Sequence, residues 1–425
     1  MKTSLFWYPL PERLIAQHPV EQRGTEKMMV LHRATGVLEH RHIADIVEYI
    51  EPNDLLVVND TKVFPARLIG QWPDTHGQVE VLLVAPAAQL GVRSEDLGIS
   101  ENDGENSSLI TPHSSLITPH SSLVWNCIIG SGRKCREGQV ASFGPNGELK
   151  AKLVKPLEGI GMWRVEFTSE RPLMDLLDEF GHTPVPPYVK REGTPEEEKA
   201  DRERYQTIYA KHVGSVAAPT AGLHFTPEIF AALDAKGVQR VAVTLHVGPG
   251  TFRPVKAENI EDHHMDFEAF TIPPETADAI NACKARGGRV FCCGSTTVRT
   301  LETVAAAHAK SFDRSTVSSL HRSSDDKTSD PSNDETIKRS NDETIKRSND
   351  ETVVVPGTGA SDIFIYPPFD FKVTDCMLTN FHLPQSTLLM MISALAGRQR
   401  VLCAYAMAVR ANYRFFSYGD CMLIV

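Results

Sequence analysis

Four short stretches of this chain gather glycines, hydroxyls and histidines where an anion could be held or a proton moved. The first, Gly214-Ser-Val-Ala-Ala-Pro-Thr-Ala-Gly-Leu-His224, stands directly before a helix signal. Small residues let a ligand approach the backbone, and the free amides of a helix start suit a carboxylate or phosphate. Thr220 adds a hydroxyl and His224 a proton-transfer group; a tight turn with a capping histidine explains the same residues without a ligand. The second, Leu245-His246-Val-Gly-Pro-Gly-Thr251, lacks the third glycine of a dinucleotide fingerprint, so its glycines are read as room for an adenosine ring or ribose. The third, Gly294-Ser-Thr-Thr-Val-Arg299-Thr-Leu-Glu302, carries a strand into a helix, with Thr296 and Arg299 placed to bind a carboxylate or phosphate. Its bland alternative is a Ser/Thr cap beside a surface arginine.

The fourth stretch is Glu261-Asp262-His263-His264-Met-Asp266. It lacks the H-E-x-x-H spacing that puts two zinc ligands on one helix face, so no metal is assigned. A histidine beside a carboxylate serves acid–base work near neutral pH, and Asp262 with His263 is the candidate pair. Thr379-Asn-Phe-His382-Leu-Pro places one more histidine before a helix. Phosphate contacts are expected of Lys62, Arg67, Arg133, Lys134 and Arg414, with the aromatic run Phe415-Phe-Ser-Tyr418 available to stack bases; scattered solvated basic residues are the alternative.

These loops need a frame. Asp54 to Asn59, Arg240 to His246 and Arg289 to Gly294 read as strands apolar on both faces, as in a covered parallel sheet. The latter two each follow a helix. Thr226 can cap Pro227 to Lys236, which Gly237 ends, and Pro274 to Arg286 repeats the pattern up to Gly287. Between about Arg67 and Arg171 the signals change to short strands at Gln78–Val84, Val124–Ile129, Gln139–Phe143, Glu148–Val154 and Met162–Phe167, the mark of a small β-barrel or sandwich. The expected fold is therefore α/β: a layered α/β domain of residues 1–66 and 172–425, interrupted by a β-barrel domain of residues 67–171.

Two segments look inserted. Ser-Ser-Leu-Ile-Thr-Pro-His occurs at 107–113 and again at 114–120, and Ser-Asn-Asp-Glu-Thr-Ile-Lys-Arg at 332–339 and 340–347. Units this short cannot bury a face against a neighbour, so 94–123 and 311–352 are expected to be mobile surface loops. They hold most of the net charge of −10 and leave about −2 for the rest, a balance that admits local basic patches. The eight cysteines form no C-x-x-C pair and read as buried small hydrophobes. The longest apolar stretch, Leu388 to Ala396, is too short to cross a bilayer, and Pro9, Pro11, Glu12 and Arg13 interrupt any leader; a cytoplasmic protein is expected.

The ordered set of motifs is specific. Leu10-Pro-Glu-Arg-Leu-Ile-Ala, Val58-Asn-Asp-Thr-Lys-Val-Phe-Pro-Ala-Arg67, Gly181-His-Thr-Pro-Val-Pro-Pro-Tyr188 and Asp201-Arg-Glu-Arg-Tyr-Gln-Thr207 are followed by Val216–Phe225, Thr244–Phe252, Thr379–Pro384 and Arg414–Asp420. Together they closely resemble the S-adenosylmethionine:tRNA ribosyltransferase-isomerases of queuosine biosynthesis, over all of the chain but the two repeat-bearing segments. Gln385, Asp60 and Pro368 depart from the family pattern, where Glu, Asn and Gly are common.

The resemblance implies an enzyme that moves the ribosyl part of S-adenosylmethionine to 7-aminomethyl-7-deazaguanine at the tRNA wobble position. S-adenosylmethionine would be a co-substrate, no resident cofactor or metal is needed, and a monomer is expected. The resemblance also implies an α/β domain interrupted by a β-barrel. Within it, His224, His246, Asp262 and His263 are expected to transfer protons, and Thr220, Thr296 and Arg299 to hold carboxylate or phosphate. Asp201, Arg202, Tyr205 and His382 are further substrate contacts. The competing readings are an RNA-binding protein without turnover and a metal-dependent hydrolase built on the His/Asp cluster.

Overall fold

The computed structural model describes residues 1–87, 123–131, 134–248, 250, 255–322 and 353–425, with the backbone alone for 310–322. Both short repeats and Arg133 lie outside the described residues. The strands of the first half are β1 (Lys27–Leu31), β2 (Leu38–His42), β3 (Leu55–Asn59), β4 (Thr61–Val63), β5 (Arg67–Gln71), β6 (Gln78–Pro86), β7 (Leu123–Ser131), β8 (Val140–Phe143), β9 (Leu149–Pro156) and β10 (Met162–Ser169). Then come β11 (His212–Ser215), β12 (Gln239–Leu245), β13 (Glu268–Ile272), β14 (Val290–Cys293), β15 (Gly357–Ser361), β16 (Cys376–Asn380) and β17 (Cys421–Ile424). The helices are α1 (Leu173–Phe180), α2 (Pro195–Arg204), α3 (Pro227–Lys236), α4 (Pro274–Ala285), α5 (Ser295–Arg322), α6 (Thr387–Ala396) and α7 (Arg398–Arg410).

One large sheet runs β15-β13-β12-β3-β14-β16-β17-β1-β2. Its centre, β12-β3-β14-β16, is parallel, while β13, β15 and β2 add antiparallel edges and β16 meets β17 antiparallel, so the sheet is mixed rather than purely parallel. The apolar run of β3 follows from cover on both faces. Leu55 and Val57 pack with α4, α5 and α6, whereas Leu56 and Val58 pack with α3 and the turn at Ile43–Glu48. Thr226 caps α3 by accepting the Ile229 amide at 3.3 Å, and Gly237 ends it in the left-handed conformation at φ 84°.

Strands β10-β7-β6-β5-β8-β9 close a barrel. Alternate residues such as Val79, Val81 and Leu83, or Leu149, Ala151 and Leu153, fill its interior. Leu173, Leu176 and Leu177 of α1 pack into this same core. The closing seam is tight: a Cβ on Gly70 would lie 2.3 Å from the Ser142 carbonyl oxygen, so no larger residue fits there without movement.

Three expectations need correction. Leu123 belongs to β7, opposite Phe167, rather than to the insertion, because its pairing completes the barrel ladder. The helical backbone of α5 continues to Arg322, into the segment expected to be a loop. Cys403 on α7 is exposed and Cys135 half-buried, unlike the other six cysteines, so neither is a core residue.

Candidate active site

A cavity of about 710 Å³, open mouth included, lies where β14 and β16 end and α5 and α6 begin. Gly294, at φ 85°, makes the sharp turn from β14 into α5, and the cavity is lined there by Gly294, Ser295 and Thr296. Asn59, fully buried at the end of β3, donates to Thr296 Oγ1 at 3.2 Å, which leaves the hydroxyl hydrogen as that group's donor. Opposite, Ser386 caps α6 by accepting the Leu389 amide at 3.2 Å. Two helix starts thus meet one cavity, and their unpaired amides and dipoles favour an anionic group.

Pro219, Thr220 and Ala221 form a third edge, on the short turn that precedes α3. The remaining wall is largely apolar: Val247, Phe381, Leu383, Leu388 and Phe416, with Tyr188 across Phe416 at a ring separation of 4.6 Å. Phe416 is held at φ 72°, a left-handed conformation that costs a bulky residue free energy. Its N–H donates to Phe381 O at 3.1 Å and its carbonyl accepts from Asn380 Nδ2 at 3.2 Å, so the end of β16 fixes it. Among the described lining residues none is Asp, Glu, Lys or Arg.

The histidine in this lining is His382. Thr379 Oγ1 meets its Nε2 at 2.7 Å, its amide donates to the Tyr405 hydroxyl at 3.0 Å, and Tyr8 donates to its carbonyl. Burial pushes the imidazole down to about 3, so the ring is uncharged at neutral pH.

Of the residues singled out from sequence, Thr220, Thr296 and His382 therefore share the cavity. His224 stands behind it, 3.0 Å from Asn380 Nδ2 and 3.6 Å from Glu26. His246, next to the lining residue Val247, is not itself in the lining and has Nδ1 at 2.9 Å from the Thr61 hydroxyl. Asp262 and His263 are elsewhere: Asp262 accepts from Asn259 Nδ2 at 3.2 Å, and the His263 ring meets Phe364 edge-on at 5.2 Å. Burial holds His263 below its usual pKa, Asp266 opposing that shift. No group of three His, Cys, Asp or Glu among the described residues is arranged to hold a metal ion.

Arg299 points away from the cavity, being buried and bonded to Glu268 and to Ser361 O. Arg191 grips Asp201 at 2.7 and 2.8 Å, and the same carboxylate accepts from the Tyr418 hydroxyl at 3.1 Å. Tyr205 packs edge-on against that Tyr418 at 6.0 Å, so Asp201 and Tyr205 brace the segment carrying Phe416 and Ser417. Arg202 bonds to Glu198 and to the carbonyls of Asp178 and Gly181.

Lys62 and Lys134 are exposed. Arg67 is paired with Glu80 at 2.8 Å and Arg414 donates to the His18 carbonyl. No helix among the described residues is long and apolar enough to cross a membrane.

Sequence reasoning did not single out Asn380, Ser417, Tyr188 or Phe416 individually, although each sits inside one of the family-like motifs. Glu26 carried no signal at all, because its role comes only from the fold bringing β1 beside His224.

A family model described as queuosine biosynthesis protein matches residues 3–424. The chain is 40% identical over 424 residues, spanning 100% of both, to the S-adenosylmethionine:tRNA ribosyltransferase-isomerase of Acetivibrio thermocellus. It is 31% identical to the S-adenosylmethionine tRNA ribosyltransferase of Thermotoga maritima, known from a crystal structure, covering 99% of this chain and 100% of that one with a TM-score of 0.44.

Proposed function

The chain belongs to the queuosine biosynthesis protein family, and we propose that it transfers and isomerises the ribosyl moiety of S-adenosylmethionine onto 7-aminomethyl-7-deazaguanine at the wobble position of tRNA. The products are epoxyqueuosine-tRNA, adenine and methionine. The observation that carries this reading is the composition of the cavity. Segments from Val216–Phe225, Thr244–Phe252, Thr379–Pro384 and Arg414–Asp420 contribute to one lining, together with Gly294, Ser295 and Thr296.

The chemistry suits those walls. S-adenosylmethionine brings a sulfonium cation, a carboxylate and a flat base, and the described lining residues include no cationic side chain to repel the first. The starts of α5 and α6, with Thr220 and Thr296, supply donors for the carboxylate, and Phe381, Leu383 and Phe416 supply an apolar wall for the base. The sulfonium acidifies the adjacent 5′ carbon–hydrogen bond, so removal of that proton starts the rearrangement without a metal or redox cofactor. His382, the neutral imidazole in the lining, ranks before His224, His246 and His263 for direct contact with substrate. Exposed Lys62 and Lys134 are assigned to tRNA phosphates, in a cytoplasmic, monomeric enzyme.

The test is adenine release, followed chromatographically, from S-adenosylmethionine and tRNA carrying 7-aminomethyl-7-deazaguanine. Release is expected with that tRNA, absent with unmodified tRNA and unaffected by a chelator. No release with the modified tRNA would overturn the reading, and abolition by the chelator would favour a metal-dependent hydrolase.

A further inference from the structure

The lining contains one buried acceptor whose orientation is set from behind. Asn380, 3% exposed at the end of β16, donates through Nδ2 to Phe416 O at 3.2 Å and to His224 Nε2 at 3.0 Å. A carbonyl can only accept, so the amide cannot be turned over without losing the Phe416 contact. His224 Nε2 must then be the unprotonated nitrogen, which puts the ring hydrogen on Nδ1, facing Glu26 Oε1 at 3.6 Å. Glu26 is itself fixed, with Oε2 accepting the Gly24 amide at 2.7 Å. Burial raises the Glu26 carboxyl, but His224 and backbone amides outweigh it and leave the group below its usual range.

This order of donors leaves two buried atoms without a hydrogen-bond partner, Asn380 Oδ1 and His224 Nδ1, the latter facing Glu26 across 3.6 Å as an electrostatic contact. Such groups are rare in folded proteins; Asn380 lines the cavity, and a ligand donor reaches the covered Oδ1 as the side chain shifts toward it. Resting on the function proposed above, we infer that Glu26 and His224 are positioning residues that lock Asn380, whose Oδ1 accepts a hydrogen bond from a nitrogen donor of bound S-adenosylmethionine. Two nitrogens have that chemistry, the α-ammonium of the methionyl end and the exocyclic amine of adenine. The Glu26 charge, 3.6 Å from His224 Nδ1, favours the tautomer whose Nε2 accepts from Asn380 and so keeps Oδ1 free for either one.

Calorimetric titration of the full-length protein with S-adenosylmethionine tests this. Asn380→Ala should weaken binding roughly tenfold or more, the loss of one strong hydrogen bond. Should that variant misfold, Asn380→Ser carries the same expectation. Glu26→Gln should raise KM for S-adenosylmethionine more than it lowers kcat. Combined with Asn380→Ala, it should add little further loss of affinity, because both act through one contact. Competition by methionine and by adenosine separates the two donors: the fragment whose affinity falls in Asn380→Ala carries the nitrogen. Equal binding of S-adenosylmethionine by parent and Asn380→Ala, or full additivity in the double variant, would overturn the assignment alone. A parent protein that does not bind S-adenosylmethionine would overturn the proposed function and this assignment with it.

Discussion

Gly214 and His246 meet so closely that a Cβ on the glycine would stand 2.7 Å from Cε1 of the imidazole. Gly214 lies within β11, the short strand that pairs with β4, and at φ 152° its backbone also disfavours a side chain. Gly214→Ala should therefore push His246 off the Thr61 hydroxyl and cost about 1 to 3 kcal/mol of stability. Thermal denaturation reads the cost, and an unchanged melting temperature would mean that the ring moves aside freely.

The Arg299 and Glu268 pair is almost wholly buried, each side chain 4% exposed, so the arginine is committed to the interior. Arg299→Met strands a carboxylate that also accepts the Gly248 amide at 2.9 Å. It should cost about 3 to 5 kcal/mol in urea denaturation, with little change in S-adenosylmethionine affinity for the protein that remains folded. A large affinity loss at unchanged stability would return Arg299 to the ligand.

Asp201 offers a matching contrast. Its two oxygens are taken by Arg191 and Tyr418, so Asp201→Asn should lower stability by about 3 kcal/mol and loosen the Phe416 wall indirectly. Kinetics near the melting transition should suffer more than kinetics at low temperature. Equal impairment at all temperatures would instead indicate direct contact with substrate.

Glu198 ties α2 to the Gly181-His-Thr segment by accepting from Thr183 N at 2.8 Å and meeting His182 Nδ1 at 3.1 Å. Burial raises its carboxyl, but the His182 ring and Thr183 donors outweigh burial and hold it near about 2. A carboxyl depressed in the folded state adds stability above its unfolded value of ~4.3, and that contribution is lost as pH falls from there toward 2. Glu198→Gln should flatten the acid limb of a stability-against-pH curve over this window. An unaltered limb would show that the carboxylate contributes nothing to acid unfolding.

Much of the frame was legible beforehand. Pro227 to Lys236 announces itself through Thr226, Pro227 and Gly237, because capping and left-handed termination are local events. The barrel strands show as alternation, since one face of each strand meets the interior. The short β5 and the antiparallel strands β13 and β15 did not stand out: five residues are too few for a period to register along the chain. His382, Thr220 and Thr296 were visible as residue types beside helix starts. Asn380 was hidden within a motif whose histidine drew the attention.

By itself, the order of residues determined the strand and helix signals, the barrel interruption, the repeats and the motif set that marks the family, all of which are written in neighbours along the chain. Only the tertiary structure decided which polar groups are spent inside the protein and which face the cavity. Arg299 is neutralised by Glu268, 31 residues before it, and Glu26, just ahead of β1, faces His224 across nearly two hundred residues of sequence. Charge pairing and burial depend on distance in space, and no local spacing encodes that distance.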